Sequence, residues 1–264
     1  RGAPDPRHRA DGRAAEGAGK LSVRVIAVVQ ARLGSTRLPG KVLAEIAGRP
    51  MLGHVLDRAQ AIHGVDEVIL TTPMPEAPEL RGLPGVDRWV PHVPPDVLAG
   101  FAQAVERSGA KIVMRLTGDN PLIDPDVCTF VLAHFYEATL TLPGVPLRPY
   151  YAHNLNPPTA WPEGLDTEVF LASDLIEAHQ RAFAPADREH PTRYISRLRP
   201  HAVLPDPRAP ANEPLLPHHK ECSSQRWTVD TEEDLARVRA IYAHLTPGDF
   251  SWQATLRAAR EAGV

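Results

Sequence analysis

Three cationic side chains, Arg32, Arg37 and Lys41, fall within ten residues of one short segment, ARLGSTRLPGK. Arginine makes forked contacts to phosphate oxygens, and lysine adds a compact charge that suits a leaving phosphate. Ser35 supplies a hydroxyl group, and Gly34 allows the backbone to approach a ligand closely. The pattern indicates a loop that holds a triphosphate, with an ordinary solvated basic loop as the alternative.

This segment is not the phosphate-binding loop of the P-loop ATPases and GTPases, which requires G-x-x-x-x-G-K-[ST]. Five residues separate Gly34 from Gly40, and Val42 stands where the metal-binding hydroxyl belongs. Pro39 also removes a backbone N–H from a loop that would have to offer such groups. The chain has no G-x-G-x-x-G dinucleotide motif either.

A second chemical candidate, Asp119, follows an apolar run and a glycine in the segment MRLTGDNPLIDPDV. Proteins bind Mg²⁺ through one or two carboxylates together with substrate phosphates and water. Asp119 fits that role, although aspartate is also common in turns. Asp124 and Asp126 are better explained as residues at the start of a helix.

The elements that must position these residues alternate between strand and helix in the first half of the chain. The apolar runs and helical spacings predict strands at 23–30, 66–72 and 110–118, and helices at 50–61, 94–109 and 124–137. Such alternation favours a parallel sheet covered by helices on both faces. The cationic loop and Asp119 both follow strands, so they are expected to face one crevice at the carboxyl ends of the sheet.

The second half of the chain is less regular. We expect a strand at 163–170, helices at 172–183 and 187–199, a helix capped by Thr231, and a last helix from about 250 to 262. Residues 205–224 are proline-rich and predict a long loop. Residues 1–20 predict a disordered tail. The remainder, 21–264, predicts a single domain with an insertion at about 145–225.

Composition narrows the classes of function. The chain has 264 residues and a net charge of −3, which does not favour general binding to nucleic acid. No apolar run is long enough for a membrane span, and the N-terminal residues lack the apolar core of a signal peptide. Two distant cysteines, Cys128 and Cys222, suit a reducing cytoplasm.

The segment QARLGSTRLPGKVL resembles the signature of the cytidylyltransferases that activate acidic sugars. These are the CMP-sialic acid and CMP-KDO synthetases, and the chain is most similar to the spore coat polysaccharide biosynthesis protein F type. The resemblance continues through MRLTGDNPLIDPDV, HNLNPPTAWPEGLDTEVF, REHPTRYI and RWTVDTEEDL. It covers about residues 23–245 in order, and its first and last motifs are specific when they occur together.

The resemblance implies a three-layer, Rossmann-like α/β nucleotidyltransferase fold with a mostly parallel central sheet. It implies Mg²⁺ at Asp119 and Asp230, and catalytic roles for Arg32, Lys41 and Asp119. The nucleotide-binding residues that it implies are Ala31, Arg32, Leu33, Gly34, Ser35, Arg37, Lys41, Thr71, Thr72 and Asp119. For the two threonines, an ordinary strand end is the alternative interpretation.

The acceptor side is implied by the middle motifs. Its candidates are Asn154, Asp166, Glu168, Glu189, His190 and Arg226. A structural role for the Glu189–His190 pair is the alternative. The chain departs from the family at Gly100, where the family pattern usually has arginine. Because of that departure, the acceptors of the family do not carry over directly to this chain.

The implied activity is Mg²⁺-dependent transfer of CMP from CTP to an acidic sugar or a related anionic acceptor, with release of pyrophosphate. The partners are therefore CTP and an anionic small molecule, with no nucleic acid and no membrane, in the cytoplasm. The resemblance also implies a homodimer. Two alternatives stay open: a phosphonate or phosphorylated small molecule as acceptor, and a catalytically silent nucleotide-binding partner protein.

Overall fold

A computed structural model describes residues 23–74, 77–139, 150–206 and 222–264. The predicted N-terminal tail and most of the predicted loop at 205–224 lie outside the described residues. No helix among these residues is long and apolar enough to cross a membrane.

A seven-stranded sheet forms the middle of the molecule, in the order β5-β4-β1-β6-β8-β7-β9. All pairings in it are parallel except those that β8 makes with β6 and β7. A short antiparallel pair, β2 with β3, lies apart from this sheet. The strands are β1 Val25–Gln30, β2 Glu45–Ile46, β3 Arg49–Pro50, β4 Glu67–Pro73, β5 Arg88–His92, β6 Ile112–Thr117, β7 Tyr151–His153, β8 Glu168–Leu171 and β9 His201–Val203.

Helices cover both faces of this sheet. They are α1 Met51–Gln60, α2 Ala77–Arg81, α3 Val97–Ser108, α4 Pro125–Thr139, α5 Ala172–Arg181, α6 Pro185–Glu189, α7 Arg193–Leu198, α8 Glu232–His244 and α9 Trp252–Ala262. Strand side chains alternate between faces, and the core divides accordingly. One face packs against α1, α4, α8 and α9, and the other packs against α3, α5 and α7. The result is the three-layer α/β arrangement that the sequence predicted.

Local sequence explains where the helices near the crevice begin and end. Asp96 caps α3, since its side chain accepts from the amide of Ala99 at 3.0 Å. Gly109 ends the same helix in the left-handed region that glycine tolerates best. Thr231 and Asp234 form a reciprocal capping box at the start of α8. Asp124 accepts from the amides of Asp126 and Val127, which confirms it as a helix-start residue.

Several boundaries differ from the sequence-based expectation. The strand predicted at 163–170 is wrong over its first half, because β8 starts only at Glu168 and Gly164 turns the chain with φ of 107°. The helix predicted at 187–199 is two short helices, α6 and α7, on either side of Pro191. Strands β5, β7 and β9 were not predicted. The first of these carries Pro91 and polar residues, and the other two span only three residues each.

Candidate active site

A cavity of about 490 Å³ opens at the carboxyl ends of the parallel strands, within the size range of small-molecule sites. It lies on the sheet face that packs against α3. Ten residues predicted from sequence line it: Ala31, Arg32, Gly34, Ser35, Arg37, Lys41, Asp119, Glu189, His190 and Asp230. The fold therefore brings the cationic loop, both carboxylates and part of the predicted acceptor side to one space.

Lys41 lies at the centre of this arrangement and is only 7% exposed. Its ammonium contacts Asp119 Oδ2 at 3.1 Å and Asp230 Oδ1 at 2.9 Å, and it donates to the carbonyl of Val229 at 2.7 Å. Both carboxylates therefore flank one point in the cavity, close to the 3-10 turn Lys41–Leu43 that presents the lysine.

The loop that carries the cations is shaped by its own backbone. The amides of Ser35 and Gly40 both donate to the carbonyl of Leu33 at 2.8 Å. Gly40 has φ of 70°, a left-handed conformation that favours glycine. Leu33 thus organises the loop, and its side chain packs against the core rather than lining the cavity.

Asp230 forms ion pairs with two arginines in addition to Lys41. Arg37 Nη2 and Arg226 Nη2 lie 2.9 Å and 2.8 Å from its Oδ2. Burial alone would raise the pKa of Asp230, but the hydrogen bond and charge of Lys41, with the charges of the arginines, lower it overall. The carboxylate is therefore ionised at neutral pH, with Oδ1 bound by Lys41 and Oδ2 by the two arginines.

Arg226 does not line the cavity, and it acts on Asp230 from outside. It also contacts Glu163 and lies 3.3 Å from Asp234 Oδ1. Asp234 in turn accepts from the backbone amide of Asp230 at 3.0 Å. Arg32 is more exposed, and its nearest acidic partner is Glu189 at 3.9 Å.

Both carboxylates offer oxygen atoms to the point that the Lys41 ammonium holds, so a hard divalent cation bound by both has to lie beside that ammonium or replace it. The described residues hold no group of three or more His, Cys, Asp or Glu side chains that could bind a metal ion. A cation here would therefore take Asp119 and Asp230 from the protein and the rest of its ligands from phosphates and water, which is the usual arrangement for Mg²⁺.

Thr71 and Thr72 are buried and do not line the cavity. Thr71 Oγ1 is hydrogen-bonded to His92 Nδ1 at 3.1 Å, and Thr72 Oγ1 accepts from the indole of Trp89 at 2.9 Å. A Cβ atom on Gly100 would meet Thr71 Oγ1 at 2.4 Å and the His92 ring at 3.0 Å. The space beside Gly100 is thus filled by these two side chains, where the family pattern has arginine.

The acceptor-side candidates differ in whether they line the cavity. Asn154 is 1% exposed, and its amide group is hydrogen-bonded to the backbone of Leu165 and Thr167 at 2.8 Å each. Glu168 is buried between Arg115 and the hydroxyl of Tyr151. Asp166 is half-buried outside the cavity lining, and burial raises its pKa to about 7. Only Glu189 and His190 of this set reach the cavity wall.

Sequence reasoning missed four polar cavity residues, which are Gln30, His92, Arg115 and Thr117. Arg115 had a detectable signal, because it interrupts an otherwise apolar strand. The other three lie at strand ends, where polar residues are common. Their presence in the cavity depends on which strands are neighbours in the sheet.

Comparison with known proteins identifies the family of the chain. The family model described as Cytidylyltransferase matches residues 26–203. The chain is 30% identical to a 3-deoxy-manno-octulosonate cytidylyltransferase of Anaeromyxobacter sp. (strain Fw109-5), covering 83% of this chain and 97% of the relative. It is 29% identical to the spore coat polysaccharide biosynthesis protein SpsF of Bacillus subtilis (strain 168), covering 83% and 86%.

The fold also matches a solved cytidylyltransferase from Leptospira borgpetersenii serovar Hardjo-bovis (strain JB197). The TM-score is 0.75 at 22% identity, and the match covers 91% of this chain and 95% of that one. This likeness confirms the Rossmann-like nucleotidyltransferase fold. With the family match over more than half of the chain, it follows that the chain belongs to the cytidylyltransferase family and is a nucleotidyltransferase enzyme of the SpsF and CMP-KDO synthetase type.

Proposed function

We propose that the protein transfers CMP from CTP to the oxygen of an acidic sugar, in a reaction that depends on Mg²⁺ and releases pyrophosphate. The observation that carries the proposal is the contact of Lys41 with both Asp119 and Asp230 inside a cavity lined by the cationic loop. The named activity of the 3-deoxy-manno-octulosonate cytidylyltransferase relative supports a sugar acid of that kind as acceptor.

The cationic loop would hold the triphosphate. Arg32 and Arg37 are exposed at the cavity, and their guanidinium groups can each make forked contacts with phosphate oxygens. Lys41 is fixed by three oxygen partners, so its charge does not have to be ordered when CTP binds. A fixed positive charge beside the breaking bond stabilises the charge that develops on pyrophosphate.

In the reaction, an acceptor oxygen forms a bond to the α-phosphorus of CTP while the bond from that phosphorus to the bridging oxygen breaks. The electron pair leaves with pyrophosphate, the acceptor hydroxyl loses its proton to water, and the protein orients the two oxygens in line. Asp119 and Asp230 would hold Mg²⁺. When bound, this ion would neutralise charge on the phosphates and polarise the α-phosphate. Glu189, the last residue of α6, and the following His190 line the same cavity and would contact the acceptor.

Pyrophosphate release tests this proposal directly. The purified protein is incubated with Mg²⁺, each of CTP, UTP, ATP and GTP in turn, and 3-deoxy-manno-octulosonate, N-acetylneuraminate or 2-aminoethylphosphonate. We expect release with CTP and a sugar acid, and none after removal of the cation with EDTA. Release with the phosphonate alone would show that the acceptor is a phosphonate and not a sugar acid. Tight CTP binding with no release from any acceptor would identify a silent nucleotide-binding protein.

A cytoplasmic location belongs to the same proposal, since CTP is a cytoplasmic substrate, and both cysteines are buried as free thiols. The homodimer stays a prediction that sedimentation analysis of the full chain can test. A sedimenting species of one chain mass at micromolar concentration would contradict it.

A further inference from the structure

Arg115 lies on β6 and lines the cavity below Asp119. Its side chain shares a sheet face with Thr117, since alternate residues of a strand point the same way. In the sheet, β6 separates the nucleotide-loop strand β1 from the antiparallel strand β8. Arg115 is therefore on the side of the cavity away from β4 and towards the second half of the chain.

Among the described residues, Arg115 forms its ion pair with Glu168. Its Nη1 donates to Glu168 Oε2, its direct neighbour in the β6–β8 register. Glu168 is 3% exposed and also accepts from the hydroxyl of Tyr151. Burial would raise the pKa of Glu168, but the charge of Arg115 and these hydrogen bonds lower it overall, so the carboxylate stays ionised.

Within the part of the chain that the structure describes, most of the donors on Arg115 have no hydrogen-bond partner. A guanidinium group carries five N–H donors, and Glu168 is its hydrogen-bonding partner among the described residues. Its Nε is buried and has no hydrogen-bond partner there. Burying an arginine with an unsatisfied donor costs stability, and an apolar pair would join two strands without that cost. A ligand that accepts from Arg115 accounts for its presence.

We propose that Arg115 binds the carboxylate of the acceptor and so determines which acceptors the enzyme takes. This inference rests on the proposed function, because it places the acceptor in the same cavity as CTP. A planar carboxylate matches the planar fork of the guanidinium group. Glu168 is a positioning residue, since it holds Arg115 and does not itself need to touch the acceptor.

The neighbouring charges favour a carboxylate over a phosphonate. Glu168 already neutralises Arg115, and Asp119 adds a further negative charge close to it. Glu168 and Asp119 would repel a dianionic phosphonate more strongly than a carboxylate, because the carboxylate brings only one negative charge to this little-exposed site. The side chain of Arg115 is 19% exposed, so it is reachable from the cavity yet little screened by water.

Binding measurements separate this inference from the proposed function. Calorimetry is done on the full chain saturated with a non-hydrolysable CTP analogue, with 3-deoxy-manno-octulosonate, its methyl ester and 2-aminoethylphosphonate as probes. We expect wild-type protein to bind the acid about tenfold or more tightly than the ester, and Arg115→Lys to lose most of that preference, because lysine keeps the charge but not the fork. Affinity for the CTP analogue should stay within about twofold, since no nucleotide contact changes.

The matched control is Arg88→Lys, which alters another arginine–glutamate pair between neighbouring strands, that with Glu67 at 2.6 Å. It should leave acid and ester binding as in wild type. The double variant Arg115→Gln/Glu168→Gln removes both charges without leaving one buried alone, and it should fold yet show no acid preference.

Three results would overturn the inference. These are an acid preference that survives Arg115→Lys, equal binding of acid and ester by wild type, or an Arg115-dependent preference for the phosphonate. Failure of wild type to bind the CTP analogue would instead contradict the proposed function.

Discussion

The backbone amide of Val229 donates to the carbonyl oxygen of Asp119 at 2.9 Å. This hydrogen bond joins the end of a central strand to the segment before α8, from opposite halves of the chain. The side chains of Asp119 and Asp230 then converge on the Lys41 ammonium, whose third partner is the carbonyl of Val229. The geometry of the two carboxylates is therefore set by main-chain contacts as well as by charge.

The first prediction concerns Lys41. In Lys41→Ala, the two carboxylates lose the cation between them and pyrophosphate loses a fixed charge. We expect kcat/KM for CTP to fall by about 100-fold or more. The control is Lys111→Ala, at an exposed lysine just before β6, and it should retain wild-type turnover. Near-normal turnover of a folded Lys41→Ala protein would contradict the assignment of the loop.

Arg226 should act on the metal rather than on the nucleotide. Since it contacts Asp230 at 2.8 Å from outside the cavity, Arg226→Gln frees that carboxylate to move. We expect the Mg²⁺ concentration for half-maximal rate to rise several-fold, about tenfold at most, with KM for CTP little changed. The comparison is Arg237→Gln, which removes a partner of Asp234 at 2.8 Å but no contact with Asp230. Equal Mg²⁺ dependence in both variants would rule out this positioning role.

Replacement of Gly100 by alanine should destabilise the protein. Its Cβ would lie 2.4 Å from Thr71 Oγ1, so we expect Gly100→Ala to lower the free energy of unfolding by about 1–3 kcal/mol. Thr71→Ala in the same chain should recover part of that loss. Urea denaturation measures both, with Gly82→Ala as the control because nothing lies within 4 Å of its Cβ position. A Gly100→Ala protein as stable as wild type would show that His92 and Thr71 move apart easily.

Asp166 predicts a specific pH dependence of stability. Burial raises the pKa of Asp166 from 3.8 to about 7 in the folded protein. Between pH 3.8 and about pH 7, this carboxyl group is therefore protonated in the folded protein and ionised in the unfolded chain. The stability that this group contributes is complete below pH 3.8 and is lost as pH rises through about 7. Asp166→Asn removes the effect, and its advantage over wild type should grow by up to about 2 kcal/mol between pH 5 and pH 8. Guanidinium denaturation at the two pH values checks the difference, and an advantage that shrinks with pH would refute the shift.

Most residues predicted for the nucleotide side come together in the cavity because their signals are local, although Leu33, Thr71 and Thr72 do not line it. Strands β1, β4 and β6 are rich in apolar residues, and the residues that follow parallel strands lie at the same end of the sheet. The loop cations and Asp119 could therefore be placed together from chain order alone. Asp230 needed the family resemblance, since its position before a helix says nothing about which strand it faces.

The acceptor half could not be predicted in the same way. Arg115 becomes interpretable only through its pairing with Glu168, and that register depends on an antiparallel neighbour 53 residues later in the chain. Glu168 was predicted as an acceptor contact, yet the structure commits it to Arg115 and Tyr151. On the nucleotide side, the hydrogen bond of Thr71 to His92 beside Gly100 is likewise not encoded by any local pattern. Whether any of these residues touches a substrate stays a prediction.

Strand β8 runs against β6, so the chain enters β8 at the edge of the sheet where β6 ends. The nucleotide loop leaves β1 at this end of the sheet, and the connection at 154–167 leaves β7 and enters β8 there. This connection is separate in the chain from the nucleotide loop, so it can be exchanged without altering that loop. Chimeras that exchange residues 154–167 between relatives would show whether one cytidylyl-transfer platform can be fitted to different sugars.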